Sequence, residues 1–542
     1  MQNPQSELVF GFVYGIGTDA GPVVSLLKDY LKQFSYQTHE FRASEHLRTL
    51  NLGITFNPFG AFGEMNALMD AGNAARKRAT ANDILAVMAV NDIAARRAEE
   101  KPLMGVAHLV RSLKTPEEVR LLRDVYRPGF FLIAIASDDD EQREYLTNVK
   151  GLSESETQAV IERDQDERLD YGQRMRDTFY LADVFVEITA ERYKKQIERF
   201  LELVFAHPFK TPTQEEHAMF MAYASAARSS QFGRQVGAAI TTVEGDVVAV
   251  GFNEVPSAGG GPYWEGSSED SRDHAYGSKI DSNHLQRSRI VDSVVDNLGT
   301  SLLTRENIRK LLKQLDTAAT DAELDSRVDS ISAFLVSKLS VKEAIRSSAL
   351  KEITEYGRAV HAEMDALLTC ARLGISVKGK QLFTTTFPCH NCTRHIIAAG
   401  VSRVTYIEPY PKSRAADLHK DAICFDLEEA KGRGRIPFVP FIGVGPRRYL
   451  ELFSLELSAG SKIERSDSDG KAIFPERAGR PPRVPMLPLS YLERETKLLH
   501  DHEDVINDLQ GKDDEQTNGQ DTSEKQDGVE SPADTKEGSG NG

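Results

Sequence analysis

The sequence predicts an α/β protein made of two consecutive units, the second an α/β/α arrangement around a mixed sheet. Three observations predict it. Short runs dense in Val, Ile and Phe alternate with helical periods over the first 206 residues, as buried parallel strands do between covering helices. The chain then breaks at His207-Pro-Phe-Lys-Thr-Pro212, where two prolines interrupt regular structure. Beyond the break, a hairpin pattern precedes a helix–strand–helix–strand succession, which places antiparallel and parallel neighbours in one sheet.

In the first unit, residues 8–14 (LVFGFVY) form an apolar run bounded by the glycine turn Gly15-Ile-Gly17-Thr18-Asp-Ala-Gly21. Residues 23–34 follow with a helical period. Residues 82–95 read as a helix, 130–136 and 181–188 as buried strands, and 197–205 as a closing helix. The second unit opens with a helix from Thr211-Pro-Thr-Gln214, a threonine three residues before a glutamine with proline in the first turn. Residues 236–242 and 247–252 pair around Glu244-Gly245. An insertion spans about 256–351, opening with Gly259-Gly-Gly-Pro262 and the single tryptophan, Trp264. Then come a helix at 359–373, a strand at 381–385, a helix at 389–399 and a strand at 403–407. Residues 447–457 show the last clear period. The expected divisions are 1–206, 207–460, an extension over 461–500 and an acidic disordered tail over 501–542.

The net charge of −16 overstates the acidity of the folded part, because residues 501–542 hold 13 Asp and Glu against three Lys. No broad basic surface for nucleic acid is expected. The apolar runs are too short to span a bilayer, and residues 1–7 lack the pattern of a signal peptide. Four cysteines in 542 residues do not make a disulfide framework. A cytoplasmic location and no membrane partner are expected.

His361-Ala-Glu363 followed by Pro388-Cys389-His-Asn-Cys392 carries the chemistry. One imidazole and two thiolates make three zinc ligands and leave the fourth position for water. Glu363, two residues after the histidine, is placed to move a proton without ligating. The H-x-E … P-C-x-x-C order is the signature of zinc nucleobase deaminases. A structural zinc site is the alternative, with His390 or His395 as a fourth ligand.

The segments Arg228-Ser229-Ser-Gln-Phe-Gly-Arg234-Gln-Val-Gly, Val250-Gly-Phe-Asn253-Glu-Val-Pro256, His361-Ala-Glu363 and Thr384-Thr-Thr-Phe-Pro-Cys389-His-Asn-Cys392 resemble deoxycytidylate deaminases. The resemblance covers roughly residues 212–412 apart from the insertion. It implies a cytidine-deaminase-like domain with Zn2+ as cofactor. It also implies hydrolytic deamination of dCTP or dCMP, with Asn253 at the sugar and Arg228, Ser229 and Arg234 near the phosphate. Lys412 is a further phosphate candidate. A base-editing deaminase acting on RNA or DNA shares the signature, and a housekeeping dCMP deaminase feeding dTTP synthesis is another reading.

The first unit resembles P-loop nucleotide kinases through the glycine turn, Arg143, Arg163-Asp164, Arg168, Arg174 and Ala182-Asp183-Val184. A kinase-like half fused to this deaminase is similar to bacterial anti-phage deoxycytidine nucleotide deaminases. The turn lacks the Lys-Ser/Thr of a Walker A motif, with Pro22 and Val23 there instead. Phosphoryl transfer is therefore not expected, and Gly15, Gly17 and Thr18 are at most a nucleotide-sensing site. A regulatory nucleotide or small RNA and a homo-oligomeric assembly are the expected partners.

Overall fold

The computed structural model describes residues 6–511 except for 57–59, 98–100, 189–191, 298–303, 337–344, 346–355, 409–412, 431–433, 457–462 and the single positions 138, 166, 168, 268, 428 and 485. Two six-stranded sheets organise it.

The first sheet has the order β12-β5-β4-β1-β3-β2, with β1 Leu8–Tyr14, β2 Gln37–Arg42, β3 Val106–Arg111, β4 Phe130–Ala136, β5 Val184–Glu187 and β12 Gly443–Val444. The first five strands run parallel, and β12 joins β5 antiparallel. Strand alternation explains the composition of β1. Phe10 and Phe12 face the helices Gly21–Gln33 and Tyr193–Val204, whereas Val9 and Val13 face the helices Ile84–Ala95 and Pro116–Tyr126. Both faces are covered, so every residue of β1 except Tyr14 is buried.

The second sheet has the order β10-β11-β9-β8-β6-β7, with β6 Gly237–Thr241, β7 Val247–Phe252, β8 Gln381–Thr386, β9 Arg403–Glu408, β10 Ile423–Cys424 and β11 Ile436–Pro440. Its β6–β7 and β6–β8 pairs are antiparallel and the rest parallel, the expected mixed sheet. Helices Ala362–Leu373 and His390–Ala399 cover one face through Ala362, Ala366, Cys370, Cys392 and Ile396. Helix Gln214–Ala226 packs against β6, β7 and β8, with Met219 and Ala222 in one cluster with Ala239 and Phe383. That helix starts later than the Thr211–Gln214 spacing suggests. Thr213 is the cap, and it exchanges hydrogen bonds with Glu216.

The units are interlocked. β11 ends at Pro440 in the second sheet and β12 begins at Gly443 in the first. Glu216 fixes the crossing: it accepts the amide of Val444 at 2.8 Å and both Arg199 guanidinium nitrogens at 2.7 Å. Later residues also return to the first unit. Glu495 of helix Pro488–Asp501 and Glu7 of the first unit both pair with the buried Arg97. Helix Glu503–Gln510 buries Ile506 and Leu509, which corrects the expectation of a disordered end from residue 501. These two buried residues lie one turn apart, enough to dock a short helix within a highly charged sequence. Residues 512–542 lie outside the described residues.

β2 and β3 carry no expectation from sequence. β2 is an edge strand with Phe41 as its one buried side chain before Arg42. β3 carries His108, fully buried because Glu7 takes its ring nitrogen at 3.0 Å. The predicted helix at 447–457 is a 3-10 turn at Pro446–Arg448 leading into a helix at Tyr449–Phe453. Within the insertion, helices Ser282–Asn297, Arg305–Leu315 and Asp321–Val336 are formed. No helix among the described residues is long and apolar enough to cross a membrane.

Candidate metal centre and substrate loop

His361 and Cys389 each occupy the cap position before a helix, in extended backbone conformation. The Cys389 sulfur turns back over its first helical turn and accepts the Cys392 amide at 3.5 Å, at the positive end of that helix, whereas the His361 side chain makes no such capping bond. Gly251 of β7 sets the approach: a Cβ there would lie 2.3 Å from the Ala362 carbonyl oxygen. The strand and the His361 helix therefore come closer than any larger residue allows.

The donor atoms of His361, Cys389 and Cys392 lie within 4.8 Å of one another. His361 Nδ1 is 3.4 Å from each sulfur. Tetrahedral zinc with ordinary Zn–S and Zn–N bonds requires separations of about 3.5 Å between such atoms, so the donor set fits zinc. Among the described residues the cluster has three donors. Neither His390 nor His395 joins it, and His395 turns Nδ1 to the Asn391 carbonyl at 2.6 Å. Three donors with a carboxyl alongside is the count of a catalytic rather than a structural site.

Glu363 is that carboxyl, buried, with Oε2 3.4 Å from Cys392 Sγ. Burial pushes its proton affinity above the usual carboxylate range. The hydrogen bond with Cys392, helped by His361, holds the Cys389 thiol down to about 4. The same bond, with burial, pushes Cys392 up. A divalent cation between the two sulfurs would deprotonate both. The other cysteines, Cys370 and Cys424, are buried and unbridged.

The four residues expected at the substrate converge on one loop. Asn253 ties it down: Oδ1 accepts the Val236 amide at 2.7 Å and Nδ2 donates to the Arg234 carbonyl at 2.8 Å. Arg234 is half-exposed and pairs with Glu408 at the end of β9. Ser229 is buried, and its carbonyl receives Gln235 Nε2 at 2.8 Å. The Arg228 guanidinium lies against the rings of Phe252 and Trp264. Lys412 lies outside the described residues.

Sequence reasoning did not find Glu254. It is fully buried and accepts Ser230 N at 2.8 Å, Ser230 Oγ at 2.7 Å, Gln231 Nε2 at 3.0 Å and Val255 N at 2.8 Å. Burial raises its proton affinity, but the bonds from Ser230, Val255 and Gln231 outweigh burial and hold it below the usual range. A lone acid amid Phe252, Val255 and Pro256 was the available signal.

The glycine turn of the first unit is filled from within. Asp164, 1% exposed, accepts the Ile16 amide at 2.8 Å and pairs with Lys114 at 2.7 Å. Thr18 shares a hydrogen bond with Ser137 at 2.7 Å. A Cβ at Gly17 would meet the Gln142 carbonyl at 2.9 Å. A carboxylate thus stands where an incoming phosphate would need that amide. Of the arginines behind the kinase resemblance, Arg163 pairs with Asp70 and Glu167, Arg174 with Glu117, and Arg143 with Gln158. Arg168 lies outside the described residues.

Residues 305–408 match the family described as the cytidine and deoxycytidylate deaminase zinc-binding region. The chain is 42% identical over 53 residues to ComE operon protein 2 of Bacillus subtilis (strain 168), covering 10% of this chain and 28% of that protein. It is 36% identical over 55 residues to the deoxycytidylate deaminase of Enterobacteria phage T4, covering 10% and 28%. With the deoxycytidylate deaminase of Pongo abelii it shares 30% identity over 93 residues, 17% and 50%. The chain thus spans between about a quarter and a half of the length of these relatives. The dCMP deaminase of cyanophage S-TIM5 aligns over 43% of this chain and 99% of its own at 16% identity and a TM-score of 0.20, too slight a likeness to carry an argument. The segment that holds the His361, Cys389 and Cys392 cluster therefore matches the zinc-binding region of the cytidine and deoxycytidylate deaminases, and zinc is the metal of that region.

Proposed function

We propose that this protein hydrolyses the exocyclic amine of deoxycytidine nucleotides, dCMP or dCTP, to give deoxyuridine nucleotides and ammonia. The observation that carries the reading is the juxtaposition of three zinc donors within 4.8 Å with the buried Glu363 carboxyl beside them. His361, Cys389 and Cys392 would hold the metal. Zinc there would supply the Lewis acidity that makes water nucleophilic near neutral pH. Glu363 takes one proton from that water and delivers it to the ring nitrogen of cytosine as oxygen adds to the carbon, then takes the second proton from the added hydroxyl and delivers it to the amine, which leaves as ammonia when the C–N bond breaks. Burial raises the proton affinity of Glu363, which favours a carboxyl that must hold a proton as well as release it. The loop of Arg228, Ser229, Arg234 and Asn253 takes the sugar and phosphate.

The first unit is proposed as a structural or regulatory partner without phosphoryl transfer, since Asp164 and Lys114 fill its glycine turn. In a cell meeting phage, such an enzyme would lower the dCTP available for replication. The test is an ammonia-release assay with dCTP, dCMP, deoxycytidine and a cytosine-containing oligonucleotide, with and without zinc chelation. Chelator-sensitive turnover of the nucleotides is expected. Deamination of the oligonucleotide alone would overturn the reading.

A further inference from the structure

Arg228 is held unlike the other arginines near the site. Its Cζ lies 3.3 Å from the ring centroid of Trp264 and 4.0 Å from that of Phe252. Two rings at those distances cannot occupy the same side of one planar group, so indole and phenyl cover the guanidinium from different sides. All its N–H donors lie in the guanidinium plane, so the stacked rings leave them directed edgewise. Its Nε is buried without a hydrogen-bond partner. The acid nearest in charge, Asp365, uses its carboxylate to accept the Phe252 amide at 3.2 Å, and no ion pair of Arg228 within 4.0 Å forms among the described residues. A cation kept in place by ring faces, with its fork unspent, is prepared for an anion with two coplanar oxygens.

The position fits. Phe252 ends β7, whose Gly251 touches the helix capped by His361. Asp365 stands one turn after His361 and donates its amide to that residue's carbonyl at 2.8 Å. Trp264 comes from the insertion. Its backbone amide and carbonyl are both engaged by Ser267 Oγ, at 3.2 and 2.8 Å, so the indole sits on a closed turn.

We propose that Trp264 is a positioning residue that holds the Arg228 fork edge-on for the phosphate of the substrate. The insertion thereby completes the nucleotide site. This rests on the proposed reading that the substrate is a deoxycytidine nucleotide.

Two measurements on the full chain test it. The first compares wild type, Trp264→Ala and Trp264→Phe on dCMP and on deoxycytidine, which lacks the phosphate. Trp264→Ala is expected to raise KM for dCMP about 10-fold with kcat within about twofold, as loss of a ground-state contact does. Deoxycytidine turnover should be unchanged, and Trp264→Phe should recover most of the loss. Equal losses on both substrates, or no change on dCMP, would overturn the proposal. The second uses Trp264 as the chain's one tryptophan. Its fluorescence is titrated with inorganic phosphate and with dCMP. A saturable change that disappears in Arg228→Met supports the cradle, and no response to either probe overturns it. If wild type deaminates neither dCMP nor dCTP yet Trp264 responds to phosphate in an Arg228-dependent way, the function reading fails while the anion cradle of Arg228 and Trp264 stands.

Discussion

Glu254 and Val360 exchange both backbone hydrogen bonds, at 3.2 and 3.0 Å, one residue before His361. The same Glu254 holds Ser230 and Gln231 through its side chain. One residue thus ties the Arg228–Arg234 segment to the strand end that leads into His361. Glu254→Ala should leave several buried donors unpaired and cost about 3 kcal/mol of stability. It should also raise KM about 10-fold while bound zinc stays stoichiometric. Urea melts, steady-state kinetics and metal analysis check the three parts separately.

Glu363→Gln keeps the shape of the carboxyl but cannot shuttle a proton. Deamination should fall by about 1000-fold with zinc still bound. Cys392→Ala should instead lose the metal and all turnover. Metal content per chain, measured beside activity, distinguishes the two.

In the first unit, Asp164→Ala should destabilise the fold by about 3 kcal/mol, because it removes the charge partner of Lys114 and the acceptor of the Ile16 amide at a buried position. It should not create nucleotide hydrolysis. A lowered denaturation midpoint without gained ATPase activity is the expected result.

Glu40 supplies a pH dependence. Burial raises its proton affinity, but hydrogen bonds from Arg42, Lys28 and Arg111 prevail and hold it down to about 2, from an ordinary 4.5. A group depressed in the folded state stabilises fully above its unfolded value and loses that contribution as pH falls through its folded one. Between pH 4.5 and 2 the wild type should therefore lose about 2 kcal/mol more than Glu40→Gln, after allowance for solvent screening. Chemical denaturation at pH 7 and pH 2 measures the difference.

Ending the chain after residue 502 should lower the melting temperature, because Leu509 and Ile506 leave the core and the Arg78–Asp508 pair is lost. The loss is about 3 kcal/mol. Ending it after residue 511 should leave the melting temperature unchanged. Calorimetry of both truncations is the check.

The metal centre was legible because its signature is local. His361, Glu363, Cys389 and Cys392 sit at two helix starts, and spacing alone nearly fixes where their side chains go. β1 and β4 were legible for a similar reason, since strands buried on both faces are apolar throughout. What escaped is what distance in sequence conceals. His108 reads as a polar interruption of β3 until Glu7 is placed beside it. Glu254 reads as a surface acid until Ser230 and Gln231 fold onto it. Arg228 and Trp264 are 36 positions apart, and no periodicity relates them. The glycine turn of the first unit shows the reverse case. Its missing lysine was plain from sequence, but that Lys114 and Asp164 converge on the turn from elsewhere was not.

The crossing between β11 and β12 also orders events at the ribosome. The first sheet has no partner for the free edge of β5 until residue 444 emerges. The partners of Arg97 and Glu7 on helix Pro488–Asp501 arrive later still. A nascent first unit therefore waits, incomplete, while the entire metal-binding unit is synthesised. The two halves finish maturing together, and no stage of translation releases a finished first half ahead of its companion.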